Sequence, residues 1–132
     1  MDCLFCKIIN REIPSEIIYE DDKVLVFLDI NPTTNGDSLI VPKKHFKDFR
    51  EVDDETLFHI NETIKKLYPI YQEKLGCEGL TICHNTDYGQ EIKHFHMHFI
   101  PRYDNDEVKH LSNKEILKDI NEIKELITKK DN

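Results

Sequence analysis

The sequence predicts a single α+β domain, and three observations predict it. Short runs rich in Val, Ile, Tyr and Phe fall near 17–29, 38–42, 79–84 and 94–103. Apolar residues recur at steps of three and four between Asp53 and Leu75, and a second such stripe lies near the C-terminus. A length of 132 residues matches one domain with one core. The expected architecture is a five-stranded antiparallel sheet with a long central helix and a C-terminal helix, all in one unit spanning 1–132.

Ile17 to Asp29 reads IIYEDDKVLVFLD, two apolar segments around an acidic turn, and predicts a hairpin. Asn31-Pro32 and Asn35-Gly36 mark a loop before Ser38-Leu39-Ile40-Val41-Pro42, a third strand closed by its proline. Asp53 is the expected N-cap of the central helix, whose apolar stripe runs through Leu57, Ile60, Ile64, Leu67, Tyr68, Tyr71 and Leu75. Pro69 inside that stripe lacks an amide hydrogen and predicts a kink near Leu67 or two abutting helices. Gly79 to His84 and His94 to Tyr103 supply the fourth and fifth strands. Ser112-Asn113-Lys114-Glu115 has capping-box spacing, so the last helix is expected over about 113–129, with Ile116, Ile120, Ile123 and Ile127 on its apolar face.

Composition excludes several function classes. Eighteen Lys and Arg against 26 Asp and Glu leave a formal charge of −8, which offers no general positive surface to a nucleic-acid backbone. The longest apolar runs are a few residues, against the roughly 20 of a membrane helix. Met1-Asp2-Cys3 carries an acid where a secretory signal carries positive charge, so the expected location is the cytoplasm. In that reducing compartment the four cysteines are expected as thiols or metal ligands rather than disulfides.

The chemistry concentrates in His94-Phe95-His96-Met97-His98-Phe99-Ile100. In a strand, residues two apart share a face, so the three imidazoles are expected to line one face about 7 Å apart while Phe95, Met97 and Phe99 enter the core. Imidazole changes charge near neutral pH, and a row of them can supply a nucleophile, a proton donor and a phosphate contact. A tolerated exposed face and a three-His metal site are the alternatives. Cys3-Leu4-Phe5-Cys6 has the spacer that lets two thiolates reach one zinc ion, a weak signal alone that inert thiols would also satisfy. His59 and His110 read as solvated, His84 as a strand-edge residue beside the site or apart from it, and Cys77 and Cys83 as small packing residues.

HFHMHFI resembles the signature of the histidine triad nucleotide-binding proteins, and LFCKIINREIPSEIIYEDDKVLVFLDINP, LIVPKKHF and the stretch Asn85 to Gln90 are similar to the Hint branch in its bacterial form. The resemblance covers about residues 3–103 and implies a HIT-like fold. It implies His96 as a nucleophile that forms a nucleotidyl-histidine, with His98 and Asn85 at the phosphate and Gln90 as the substrate-binding glutamine of the loop before the triad. It implies Asp29 as acceptor of the ribose hydroxyls, and Leu4, Phe5, Ile8, Phe27 and Ile30 around a purine. It implies a structural zinc on Cys3, Cys6, His45 and His94, and a homodimer. Where animal Hint enzymes place a serine after the Gly-Gln pair, this chain has Glu91, a carboxylate that either binds a cationic amine or faces solvent.

The function so implied is hydrolysis of purine nucleoside phosphoramidates or aminoacyl adenylates to a nucleoside monophosphate, with neither nucleic acid nor membrane as partner. Two other readings stand beside it. One is Fhit-like cleavage of dinucleoside polyphosphates, and the other is a non-enzymatic, zinc-stabilised nucleotide-binding adaptor.

Overall fold

The computed structural model describes residues 3–104 and 119–129. The expected capping box at Ser112, the start of the last helix, Ile116 and His110 lie outside them. The elements run α1 (Leu4–Ile9), β1 (Ile17–Glu20), β2 (Val24–Leu28), β3 (Ser38–Pro42), α2 (Asp54–Leu75), β4 (Gly79–Cys83), β5 (Met97–Arg102) and α3 (Ile120–Thr128). The five strands form one antiparallel sheet in the order β1-β2-β3-β5-β4.

Every residue of β2 and β3 is buried, on both faces of the sheet. This is why VLVFL and SLIVP read as apolar runs rather than alternating patterns. One face, with Val24, Val26, Leu28 and Ile40, packs beneath α2 and α3 against Ile60, Leu67, Tyr71, Ile123 and Ile127. The other, with Leu25, Phe27, Leu39 and Val41, is covered by Phe5 and Ile8 of α1. The short helix α1 has no counterpart in the expected elements. Cys3 caps it, with Sγ accepting the Cys6 N–H at 3.3 Å.

Helix α2 begins where expected, the Asp53 carboxylate accepting the Thr56 N–H at 2.7 Å, and ends at Gly76 with φ 72°. It runs unbroken through Pro69, so two abutting helices are not what forms. Pro69 is exposed, and the carbonyl it leaves without a helical donor falls on the side open to water. The Asn31–Gly36 loop closes on this helix at Gly36, whose φ is 92° and where an added Cβ would stand 2.5 Å from Leu75 Cδ1.

The histidine segment departs from expectation. The strand begins only at Met97, so His94 and His96 precede it, although all three imidazoles still lie on the α1 side of the sheet. The Phe95 N–H instead donates to the Phe46 carbonyl at 2.7 Å, turning His94 toward the chain that follows β3. Phe95, Met97 and Phe99 do enter the core beneath α2.

Candidate functional site

Two arrangements of side chains meet on the α1 side of the sheet. The first is a cluster in which the ligand atoms of Cys3, Cys6, His45 and His94 all lie within 4.8 Å of one another. His94 is fully buried, and its Nε2–H donates to the Pro42 carbonyl at 2.9 Å. That bond leaves Nδ1 as a lone pair, 3.4 Å from Cys3 Sγ, 3.5 Å from Cys6 Sγ and 3.1 Å from His45 Nδ1. Cys6 Sγ lies 3.3 Å from His45 Nδ1. Tetrahedral zinc with bonds of ~2.3 Å to sulfur and ~2.0–2.1 Å to nitrogen separates its ligands by about 3.3–3.6 Å in N–N and N–S pairs. Burial holds the His94 imidazole down to about 4, against the pull of the Pro42 carbonyl. Burial, then Cys3, pushes the Cys6 thiol up to about 11. Two thiols and two imidazoles at these separations fit a thiophilic cation, and a cation there would displace the thiol protons.

The second is a cavity of about 420 Å3 next to that cluster. Phe27, Leu39 and His98 belong to one transverse row of the sheet, paired in register, and all three line the cavity wall. Leu4, Phe5 and Ile8 of α1 close it from above, and Asp29, Ile30, Asn85 and His96 complete the set of expected residues that line it. Gln90 does not. Its side chain is buried with Nε2 donating to the Lys47 carbonyl at 2.6 Å, where it fastens the loop that carries its neighbours Gly89 and Glu91. Ile13, Pro14 and Ser15 of the α1–β1 connection and Ile92 of the β4–β5 connection also line the cavity, brought there only by the fold.

His96 is 9% exposed, and its Nδ1–H donates to the His94 carbonyl at 2.8 Å. The proton is thereby fixed on Nδ1, and Nε2 keeps its lone pair. Burial holds the His96 imidazole below its ordinary value, with the His94 carbonyl and the Asp29 carboxylate opposing. His98 is likewise lowered, by burial and then by His96. The rings of His96 and His98 stand 5.0 Å apart rather than the expected 7 Å, because His96 lies outside the regular strand and its ring meets His98 edge-on. Phe5 meets His96 edge-on at 5.0 Å, and Phe27 at 5.5 Å, so one aromatic ring separates the catalytic candidate from the apolar end.

Asp29 closes β2. Its Oδ1 accepts the Asn31 N–H at 2.9 Å and its own N–H donates to the Asp37 carbonyl, which leaves Oδ2 free of partners among the described residues. Burial raises its carboxyl, while the Asn31 N–H and the facing His98 and His96 draw it down.

Other expectations need correction. His59 is partnered, its Nε2 lying 2.8 Å from Asp21 Oδ2 at the β1–β2 turn. His84 takes the expected strand-edge place just after β4, exposed and packed between Phe49 and Phe95 rather than in the cavity wall. Cys77 is buried in the core, whereas Cys83 is exposed at the end of the row that contains His98.

Comparison with known proteins agrees with this geometry. Residues 10–105 match the family model described as HIT domain. An uncharacterized HIT-like protein of Methanocaldococcus jannaschii is 46% identical, covering 89% of this chain and 98% of the relative. The adenylylsulfatase HINT3 of Arabidopsis thaliana is 36% identical over 80% of this chain and 54% of its own. The crystal structure of a Zn-bound histidine triad family protein from Mycobacterium smegmatis superposes with a TM-score of 0.87 at 30% identity, covering 97% of this chain and 91% of that one. The chain belongs to the histidine triad (HIT) domain family, and its five-stranded sheet with flanking helices is the HIT-like fold.

Proposed function

We propose that the protein hydrolyses purine nucleoside phosphoramidates, or the related aminoacyl adenylates, through a covalent nucleotidyl-histidine at His96. The observation that carries this reading is the tautomer: the His94 carbonyl fixes the proton on Nδ1 of a buried, neutral imidazole that faces the cavity. The His96 Nε2 lone pair attacks the α-phosphorus, the P–N bond breaks, and the departing nitrogen takes a proton from solvent to leave as an amine. Water then attacks the phosphorus, the P–His bond breaks, and a nucleoside monophosphate and neutral His96 are released. His98 and Asn85 hold the phosphoryl oxygens, Asp29 accepts the ribose hydroxyls through Oδ2, and Leu4, Phe5, Ile8, Phe27 and Ile30 hold the base. A HIT relative named for adenylylsulfatase activity supports attack at an adenylyl phosphorus.

Zinc on Cys3, Cys6, His45 and His94 is the structural part of this proposal. A four-ligand shell leaves no position for substrate, so the metal would tie α1 to the histidine segment and supply stability rather than chemistry. A homodimer is the expected assembly, and β4 stands as an outer strand of the sheet with Ile82 exposed.

Rapid quenching with adenosine phosphoramidate tests the reaction. Adenylylated His96 is the expected catch, stable to base and lost in acid. Undiminished turnover by His96→Ala, or turnover of diadenosine polyphosphates with none of phosphoramidates, would overturn the mechanism or the substrate assignment respectively.

A further inference from the structure

The cavity wall has an unusual charge. Two carboxylates, Asp29 and Glu91, line it, and among the described lining residues there is neither a lysine nor an arginine. Glu91 and Asp29 also sense each other, since the Glu91 charge raises the Asp29 carboxyl. A bound nucleotide adds a further negative phosphate to this set.

Glu91 has no hydrogen bond or ion pair to any described residue, although Lys93 is two residues away. The Lys93 ammonium is engaged elsewhere, donating to the Gln90 carbonyl at 2.9 Å and the Asp87 carbonyl at 3.5 Å. The loop itself is fastened on three sides. Gln90 Nε2 holds the Lys47 carbonyl, the Gln90 N–H donates to the Asp87 carbonyl, and Arg50 bridges the buried Asp48 and Asp87 at 2.7 and 3.1 Å. With Gln90 turned inward, Glu91 is presented at the cavity on an anchored backbone.

An exposed carboxylate kept from its nearest cation and aimed at a ligand cavity is a receptor for positive charge. We infer that Glu91 selects the leaving group, and that the preferred substrates are nucleoside phosphoramidates or acyl adenylates whose departing part carries an ammonium. This rests on the hydrolase reading above, and it adds what the catalytic residues alone leave open. The base, ribose and phosphate are accounted for by Phe5 and Phe27, Asp29, and His96 with His98, which leaves Glu91 for the remaining part of the substrate. The same charge disfavours dinucleoside polyphosphates, whose leaving group brings several more negative charges to an acidic wall.

Three adenosine phosphoramidates of matched length separate the cases: those of diaminopropane, butylamine and β-alanine, with cationic, neutral and anionic tails. For the wild-type protein, kcat/KM is expected to be highest for the diaminopropane derivative, by about fivefold over butylamine, and lowest for β-alanine. The cationic-to-neutral ratio should shrink as salt is added. Glu91→Gln should bring the ratio to near one, and Glu91→Lys should invert the order. A wild-type ratio near one, or the same ratio in all three proteins, would overturn the inference while butylamine turnover still upholds the hydrolase. Failure of all three compounds to turn over would instead overturn the hydrolase reading and this inference with it.

Discussion

His94 and His96 are two residues apart, both buried, and neutral for the same reason, yet they face opposite tasks. His94 gives its Nε2 proton to the Pro42 carbonyl and turns an Nδ1 lone pair on two thiols and a second imidazole. His96 gives its Nδ1 proton to the His94 carbonyl and keeps an Nε2 lone pair beside the nucleotide cavity. A single backbone carbonyl chooses each tautomer, and with it whether the ring is fit to ligate a metal or attack a phosphorus. The two regions are also coupled in sequence, because the residue placed by the cluster of Cys3, Cys6 and His45 carries the carbonyl that holds the His96 proton on Nδ1.

The sharpest way to break this comparison is at His96. His96→Ala should lower phosphoramidate turnover by about a thousandfold or more while zinc content and nucleotide binding persist, as steady-state kinetics, metal analysis and calorimetric titration would show. Loss of metal together with activity would mean that the two rings are not functionally separate.

Next in size is the metal cluster. Replacing both Cys3 and Cys6 by Ser, or prolonged chelation, should remove close to one zinc per chain and lower the melting temperature, with a loss of several kcal/mol, because binding energy at such a site is folding energy. Unchanged zinc content and melting temperature in the double variant would refute the assignment.

A smaller effect distinguishes the ribose contact from both histidines. Asp29→Ala should weaken nucleoside monophosphate binding by about 1.5–3 kcal/mol without unfolding the chain, the range for hydrogen bonds to a charged group. Equal wild-type affinity for ribonucleotides and their dideoxy counterparts would contradict it.

The smallest separates Asp29 from Asp37, the acid whose carbonyl accepts the Asp29 N–H. Asp37 is 2% exposed, Oδ2 accepts from the Thr33 N–H and hydroxyl, and Oδ1 has no partner. Burial raises this carboxyl from an ordinary value of 3.8 to about 6, in spite of the Thr33 donors. The native state therefore retains a proton that the unfolded chain has released, so this residue's contribution falls as pH rises from about 4 to 6 and stays low above that. Asp37→Asn, which keeps an acceptor for Thr33 and cannot ionise, should be more stable than wild type at pH 7.5 by on the order of 1 kcal/mol, the difference vanishing near pH 4. Denaturant unfolding at the two pH values measures it, and a difference independent of pH would refute the cause.

Much of the scaffold is legible in the chain because local chemistry specifies it. Asp53 and Gly76 delimit α2 through a side-chain cap and a positive φ, and Asp21 turns the hairpin by accepting the Lys23 and Val24 amides. Spacing alone joins only Cys3 and Cys6, and His45 and His94 enter the cluster through the family resemblance. Gln90 was misplaced because its position beside Gly89 does not reveal which way its amide turns. The buried carbonyl of Lys47, 43 residues away, decides that.

The sequence by itself determined the hairpin, β3, β4 and α2, together with the apolar residues that enter the core beneath α2, because these follow from local periodicity and residue type. The tertiary structure alone decided that the histidine row is divided, with His94 and His96 outside the strand and only His98 within β5. It also decided that α1 covers the sheet and that each ring meets the carbonyl selecting its free nitrogen. The physical reason is that a period of two assigns a residue to a face and leaves open which partner its ring meets there. Here the Phe95 amide leaves the sheet ladder for the Phe46 carbonyl, and contacts across 49 residues bring the His94 ring to His45.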